Sequence, residues 1–561
     1  MRSRQVRQEN ADVVVLGSGG AGIRAAIEAH DQGVNVLILS KSGLGQAHTR
    51  EAEGGFNAAL GNVDPDDSWQ SHFEDTLREG AGISNPKKVE LLAREAIDRV
   101  REYDDWGVQF DRTLEGKIDQ RAMAAHSHKR TCYASDKIGQ ELMRVLVEQA
   151  KTRKISYIDK LVVLEILTKD AKVSGLLAYD VASGELVHVV AKAIIIATGG
   201  YAHLYSNSSH SAEAFGDGVA LAYRAGCELA DMEMVQFHPT GMITPENARG
   251  ILVTEAFRGE GAYLLNTKNE RFMERYDKER MELSARDIVA RAIWREVEEG
   301  RGTNSGGVYL DITHVDPALV KQKLSKMFEQ FKFLANIDIT KEKVEVYPTT
   351  HYTMGGIVVD PETAQTCVAG LYACGETTTG VHGANRLGGN SLPDISVFGR
   401  RAGLAAAGYA TKHGEINSKT NFTTEQQLMQ WEQGERGSIK PSELKKKIQH
   451  IMSKHANIVR TDDGLKTGLR TVQDLAGLYK NELMVDQHEA KEIMEAQEVG
   501  YMLDCAEAVL RSALKRAESR GAHYRSDFPI TDQKWLANVI CWQNANTGKM
   551  DLRVDKRTQE Q

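Results

Sequence analysis

Apolar runs separated by glycine-rich turns open the chain. Ala11–Leu16 is almost continuously apolar and predicts a buried strand, and the glycine cluster after it predicts a tight turn. Ile23–His30 carries apolar residues at helical spacing, and Val34–Leu39 predicts a second strand. Strand, glycine turn, helix and strand make the opening βαβ unit of a dinucleotide-binding fold. Two later runs, Ala193–Ala197 before Gly199-Gly200 and Gly370–Cys374 before Gly375-Glu376, read as further buried strands. Between about 241 and 348 these elements are interrupted by segments with their own strands and amphipathic helices, such as Arg286–Glu299. After about residue 412 the chain turns charged and helical, with 3.6-residue periods around 441–460 and 486–518. The pattern predicts an α/β Rossmann-like domain in two stretches, 1–240 and 349–412. An inserted α+β capping domain spans 241–348, a helical domain 413–520 and a small C-terminal module 521–561.

Composition narrows the class of partner. A chain of 561 residues exceeds one hydrophobic core, and 41% hydrophobic with 26% charged residues is ordinary for a globular protein. A formal net charge of −8 argues against nucleic acid, and the run Lys445–Lys447 reads as a solvated helix face. No window approaches the roughly 18 apolar residues of a membrane span. The start, MRSRQVRQEN, has no apolar core of a signal peptide. The expectation is a cytoplasmic chain, held on the cytoplasmic face of a membrane only through partners. Six scattered cysteines form no CxxC pair, so neither zinc nor an iron–sulfur cluster is indicated and no metal site is assigned.

Gly17-Ser18-Gly19-Gly20-Ala21-Gly22 fits GxGxxG between strand and helix. Gly17 permits the turn, Gly19 admits a pyrophosphate to the backbone, and Gly22 lets helix and strand approach; Gly20 and Ala21 begin the helix whose N–H groups face phosphate. A ligand-free tight turn is the bland alternative. The second strand ends in Ser40-Lys41 where an acidic residue would hold an NAD ribose, which weakens a generic NAD reading. Glu376, at the tip of GLYACGE, is suited to the ribityl chain of FAD, and Ala197-Thr198-Gly199 ends a strand of the same fold. In AHTREAEGG, the loop residues His48, Thr49, Glu53, Gly54 and Gly55 follow the second strand, where the chain passes under a flavin. His48 is either an ordinary loop histidine or a nucleophile toward the flavin methyl group.

AHTREAEGG, QFHPTGM, TEAFRGEGAYL, SARD, HYTMGGI, GANRLGGNSL and ESRGAH, in this order, resemble the flavoprotein subunit of the fumarate reductase and succinate dehydrogenase family. The match runs from residue 11 to residue 528. It implies FAD, covalent attachment at His48, and flavin contacts from Asp217, Ser391 and Leu392. It also implies a C4-dicarboxylate substrate and electron exchange with an iron–sulfur protein subunit.

Holding a dicarboxylate takes fixed cations and directional donors in a pocket closed to water. His238, Thr254, Arg286, His351 and Arg386 lie in turns drawn from separated segments. Any one of them alone reads as structural. The resemblance places Arg386 and His351 on one carboxylate and His238 with Thr254 on the other. It assigns the acid to Arg286, fed through Glu255 and Arg258. Arginine scarcely deprotonates, so a purely electrostatic role for Arg286 stands beside that assignment.

Glu53 stands where succinate-oxidising relatives tend to have glutamine. An ionised carboxylate there lowers the flavin potential and favours fumarate reduction; protonation, or pairing with Arg50, mutes that effect. Two rivals are an L-aspartate oxidase-like enzyme and a flavin-binding scaffold without activity. The first typically has cysteine at the place of Met354 and lacks the histidine of the flavin loop; the second calls for loss of a clamp residue.

Overall fold

The computed structural model describes residues 6–414, 437–486 and 489–556. Parts of the predicted helical segments, 415–436 and 487–488, lie outside the described residues, as do both extreme ends.

A seven-stranded sheet organises the cofactor-binding body. Ser156–Ile158, Val36–Leu39, Val6–Leu16 and Leu186–Ile196 run parallel, followed by the antiparallel strands Lys172–Asp180 and Leu161–Lys169. Leu371–Ala373 pairs in parallel with the final residues of Leu186–Ile196. The opening strand extends five residues before the predicted Ala11. Its first half, VRQENA, alternates between exposed and half-buried positions, so its polar residues hide it from an apolar pattern. Its second half, VVVL, is buried on both faces, as central parallel strands are.

Helices cover both faces of the sheet. Val13, Val15 and Ile195 pack with Ile23 and Ile27 of the helix Gly20–Asp31 and Phe398 of the helix Ser391–Lys412. Val14, Leu16, Ile194 and Ile196 face the other way. They share one apolar cluster with Leu465 and Val472 of the helix Asp462–Glu482 and with Val499, Met502 and Val509 of the helix Ala490–Lys515. The C-terminal helices therefore complete the second layer of the body.

The capping region has its own core, which includes Met242, Phe257, Ile293, Leu310, Phe331 and Val346. Its antiparallel sheet runs in the order Val235–Met242, Val344–Thr353, Val308–Asp311, Tyr263–Leu265. The strands by which the chain enters and leaves this region are thus neighbours, with Gln236 opposite Tyr352 and His238 opposite Thr349. The helix expected over Arg286–Glu299 ends at Glu296, and a wide turn Val297–Arg301 follows, with Gly300 at φ 76°. Only glycine adopts that left-handed conformation without strain, so the helix cannot run on through it. At the C-terminus the hairpin Ala537–Gln543 and Met550–Lys556 pairs with Leu229–Ala230 of the body.

Candidate active site

The glycine turn is sterically obligatory. Gly17 has φ 105°, and a Cβ there would stand 2.3 Å from the Ala197 carbonyl oxygen; a Cβ on Gly22 would stand 2.0 Å from the Gly17 carbonyl oxygen. The first strand, the helix and the strand ending at Ile196 can meet this closely only because these side chains are missing. No side chain caps the helix Gly20–Asp31, and one of its first N–H groups, that of Gly20, reaches the Thr49 hydroxyl at 3.2 Å. The helix Ser391–Lys412 also starts without a side-chain cap. Both N-termini border one cavity of about 640 Å³. Backbone N–H groups and dipoles pointing into a cavity favour phosphate and other anionic groups.

This cavity runs from the glycine turn to the arginine cluster. Every residue singled out from sequence lines it except Gly22, which packs beneath the turn, and Arg258, which stands behind Glu255. At the nucleotide end the Ser40 and Ser18 hydroxyls are 2.8 Å apart. The Lys41 ammonium is held at 2.8 Å by both Asp217 and Glu498. Burial works against its charge, but the two carboxylates outweigh burial and raise its pKa. The second oxygen of Asp217 is buried with no hydrogen-bond partner among the described residues. Glu376 accepts from the Thr353 N–H at 3.0 Å, yet burial pushes its carboxyl up to about 8, so at neutral pH it is mostly protonated. A carboxylic acid there can both donate to and accept from a polyol chain. The helix N-termini and the glycine cradle fit the pyrophosphate of a dinucleotide such as FAD, and the unpartnered Asp217 oxygen fits one of its hydroxyl or amino donors.

His48 stacks on His210 with ring centroids 3.8 Å apart. Burial, and next the neighbouring His210, hold its pKa well below the usual histidine range, so the ring is neutral. The Ser211 N–H donates to His48 Nδ1 at 3.3 Å, which makes Nδ1 the lone-pair nitrogen and leaves Nε2 to carry a substituent.

Glu53 corrects an expectation. Arg50 turns away to Gln46, and the partner of Glu53 is Lys326, on the capping helix Ser325–Ala335, at 2.6 Å. Burial raises the Glu53 pKa and Lys326 draws it part-way back. The carboxylate is neutralised by a cation that lies 273 positions further along the chain, where no local pattern could announce it.

At the far end, Arg286 begins its helix and donates from Nε to Glu255 at 3.0 Å and from Nη1 to the Gln236 side-chain oxygen at 3.3 Å. Arg386 donates from Nη2 to the same oxygen at 3.1 Å, and its guanidinium lies 4.4 Å over the Tyr352 ring. Gln236 in turn donates to Asn385 Oδ1 and to the Arg386 carbonyl. One buried amide therefore holds two like charges at a fixed separation. Burial first, and Arg286 second, lower the Arg386 pKa to about 10, which leaves it charged at neutral pH. Burial alone would raise the Glu255 carboxyl; Arg286 and Arg258 overcome it and hold it at about 2.

His238 donates from Nε2 to the Val253 carbonyl at 2.9 Å, which leaves its buried Nδ1 without a partner among the described residues. Nδ1 of His351 pairs with the Ser209 hydroxyl at 2.9 Å, and the two histidine rings are 5.2 Å apart. Burial and the nearby arginines depress both pKa values far below the ordinary range. Thr254 stands immediately before the short helix that carries Glu255 and Arg258.

Three residues of the site escaped the sequence: Gln236 behind the two arginines, and Arg121 and Ala124 on the cavity wall. Gln236 sits inside QFHPTGM and could have been flagged there as a polar residue in an otherwise buried strand. Arg121 donates to the Glu53 and Gly54 carbonyls, and the Ala124 N–H donates to Glu255 Oε1 at 3.3 Å. Arg121 ends the two-residue strand Gln120–Arg121 and Ala124 follows in a short loop, neither long enough to carry a periodic signal.

Comparison with known proteins places this geometry. The FAD binding domain family matches residues 12–392, and the fumarate reductase flavoprotein C-terminal family matches residues 445–561. A fumarate reductase (CoM/CoB) chain of Methanothermobacter marburgensis is 43% identical over 532 residues, which cover 94% of this chain and 96% of the relative. The succinate dehydrogenase flavoprotein subunit of Rickettsia bellii is 35% identical over 564 residues, covering 96% and 94% of the two chains. Among solved structures, a chain of the E. coli quinol fumarate reductase superposes with a TM-score of 0.92 at 31% identity, covering 99% of this chain and 98% of that one. Sdh1 of Mycobacterium smegmatis superposes at 0.89 and 39% identity, covering 99% and 95%. With its glycine cradle, its capping region and its paired arginines, the chain belongs to the FAD-dependent oxidoreductase family of fumarate reductase and succinate dehydrogenase flavoprotein subunits.

Proposed function

We propose that this chain reduces fumarate to succinate as the catalytic member of a complex, with electrons supplied through an iron–sulfur partner. The observation that carries the reading is the convergence of Arg286 and Arg386 on the Gln236 amide, beside two neutral histidines, at the end of the cofactor cavity away from the glycine turn. Two fixed cations with directional donors suit a dianion with a carboxylate at each end. The direction is supported by a relative, 43% identical, that bears the name fumarate reductase; the partner, by relatives named as subunits.

Bound FAD supplies hydride chemistry at its N5 position. The chain's own residues bind, orient and protonate. Arg386 with His351 holds one carboxylate, and His238 with Thr254 holds the other. The unpaired Nδ1 of His238 becomes a donor when a proton accompanies the dianion into the pocket, because the substrate charge offsets the arginines that keep this ring neutral. Clamping both ends fixes the carbon–carbon double bond in one reactive orientation. Arg286 then donates a proton to the carbon that does not receive hydride, and Glu255, ionised at rest, relays a replacement proton taken up from the Arg258 side. A guanidinium is a poor acid in water. Here a second cation stands beside it, on Gln236, and an ionised carboxylate accepts at its Nε, so the donor position is fixed and the group that returns its proton is in contact with it.

The test is to reduce the purified protein with dithionite, remove the excess, and mix it anaerobically with fumarate. The flavin absorbance should return stoichiometrically with succinate formation, while oxidised protein mixed with L-aspartate stays oxidised. Failure of fumarate to reoxidise the flavin sinks the proposal, and reduction by L-aspartate favours the oxidase-like rival.

A further inference from the structure

The ESRGAH segment touches neither cofactor nor substrate residues directly. Arg520 and His523 exchange backbone hydrogen bonds of 2.8 and 3.0 Å, closing a tight turn. On one side the turn presses on the loop that carries Arg386. The Ala522 N–H donates to the Ala384 carbonyl at 2.9 Å, and Gly521, at φ 51°, would place a Cβ 2.5 Å from the same oxygen. Arg520, braced at 2.7 and 3.0 Å by Glu518, reaches the Ala81 carbonyl at 2.6 Å, next to Gly80, whose carbonyl receives the Ala384 N–H. On the other side the turn meets the helix that begins with Arg286. Arg291, five residues along that helix, donates from Nη1 to the Gly521 carbonyl at 3.3 Å, and its guanidinium lies 5.3 Å over the Tyr524 ring.

We propose that the turn Arg520–Tyr524 is a latch that joins the capping helix of Arg286 to the loop of Arg386, with Arg291 as its cap-side half. Apart from Gln236, this is a bridge between the two arginine-bearing elements that uses no pocket residue, so it holds the jaws together from outside. Arg291 also pairs with Asp287 at 2.8 Å. Across the seam stands Glu79, which accepts from Asn385, the neighbour of Arg386, at 3.1 Å; burial first, and Asp287 second, push the Glu79 carboxyl up to about 7. Arg291 therefore screens a like-charge contact at the edge of the latch as well as spanning it. Arg291 and Tyr524 are positioning residues, since neither lines the cavity.

The inference rests on the proposed fumarate chemistry only for its kinetic arm. The test compares the holoenzyme with Arg291→Ala, Tyr524→Leu and Arg291→Lys by amide hydrogen exchange, flavin content, melting temperature and fumarate kinetics. Loss of one hydrogen bond from the Arg291 side chain to the Gly521 carbonyl and one half-buried cation–π contact predicts a roughly tenfold fall in kcat/KM for Arg291→Ala, a smaller one for Tyr524→Leu, and partial rescue in Arg291→Lys. Exchange should rise locally, in 286–291 and 383–387, with flavin content and melting temperature kept. Unchanged exchange in both segments overturns the latch, whatever the protein does with fumarate. A lowered melting temperature with exchange raised throughout overturns it too, because the turn would then only support the fold. If fumarate fails to reoxidise even the wild type, the functional reading falls while the exchange data still judge the latch.

Discussion

The pocket proposed for the substrate contains buried polar atoms without partners among the described residues, His238 Nδ1 and Arg386 Nε. An unmet buried polar group costs about 1–3 kcal/mol, so these atoms are a standing strain that a ligand relieves. His48 presents the same logic toward the flavin. Its Nδ1 accepts from the Ser211 N–H and burial keeps it neutral, so Nε2 carries the ring proton and is the nitrogen that would bear the flavin methyl carbon, that N–H and one methyl C–H being lost with two electrons passing into the flavin ring. Acid precipitation of the wild-type protein should therefore leave yellow colour in the pellet, whereas His48→Ser should release FAD into the supernatant. Complete release from the wild type would remove the covalent bond from the account, though not flavin binding. The cofactor residues were readable from their glycine-rich turns; the clamp residues expected in turns are not all there, since His238 and His351 lie in strands and Arg286 begins a helix. Arg121 and Lys326 were not readable, because what makes them part of the site is a contact with a distant segment, whereas Gln236 left one signal, its polarity inside a buried strand.

Among the elements, the glycine turn and the buried strands announced themselves through composition, and the boundaries that moved did so for local reasons. The polar half of Val6–Leu16 escaped because it is half exposed, and the helix Asp462–Glu482 was not singled out because Gly464, Gly468 and Gly477 dilute its helical signal. The capping helix Ser325–Ala335 was not expected to touch the flavin loop, yet its Lys326 reaches Glu53. Direction of catalysis was tied to a bare carboxylate at that place; the ion pair takes the net charge away. The pair makes its own prediction. Glu53→Gln leaves the Lys326 ammonium with only the looser contact to Glu51 at 3.8 Å, and a unit charge several ångströms away at intermediate dielectric is worth on the order of 1–3 kcal/mol. The flavin midpoint potential should rise by roughly 20–60 mV for a two-electron couple, and Lys326→Met should lower it. Potentials unchanged in both variants would show that the pair does not reach the ring electrostatically.

For the whole molecule, the division of labour is between a body that fixes the cofactor and a capping region that brings Arg286 and Glu255 to it. The entry and exit strands of the cap pair with each other, so Gln236 and His238 on one and His351 and Tyr352 on the other converge without any local signal of their nearness. No helix among the described residues is long and apolar enough to cross a membrane. The central claim is that Arg286 serves the chemical step while Arg386 anchors substrate, and single-turnover reoxidation of the dithionite-reduced flavin by saturating fumarate tests it most directly. Arg286→Gln should keep its flavin and most of its dicarboxylate affinity, read from the perturbed flavin spectrum, yet reoxidise roughly 10²–10⁴-fold more slowly than wild type. Arg386→Gln should instead lose affinity, because one carboxylate loses its bidentate partner. Near-wild-type reoxidation by Arg286→Gln would contradict the account, since the proton would then reach the substrate by another path.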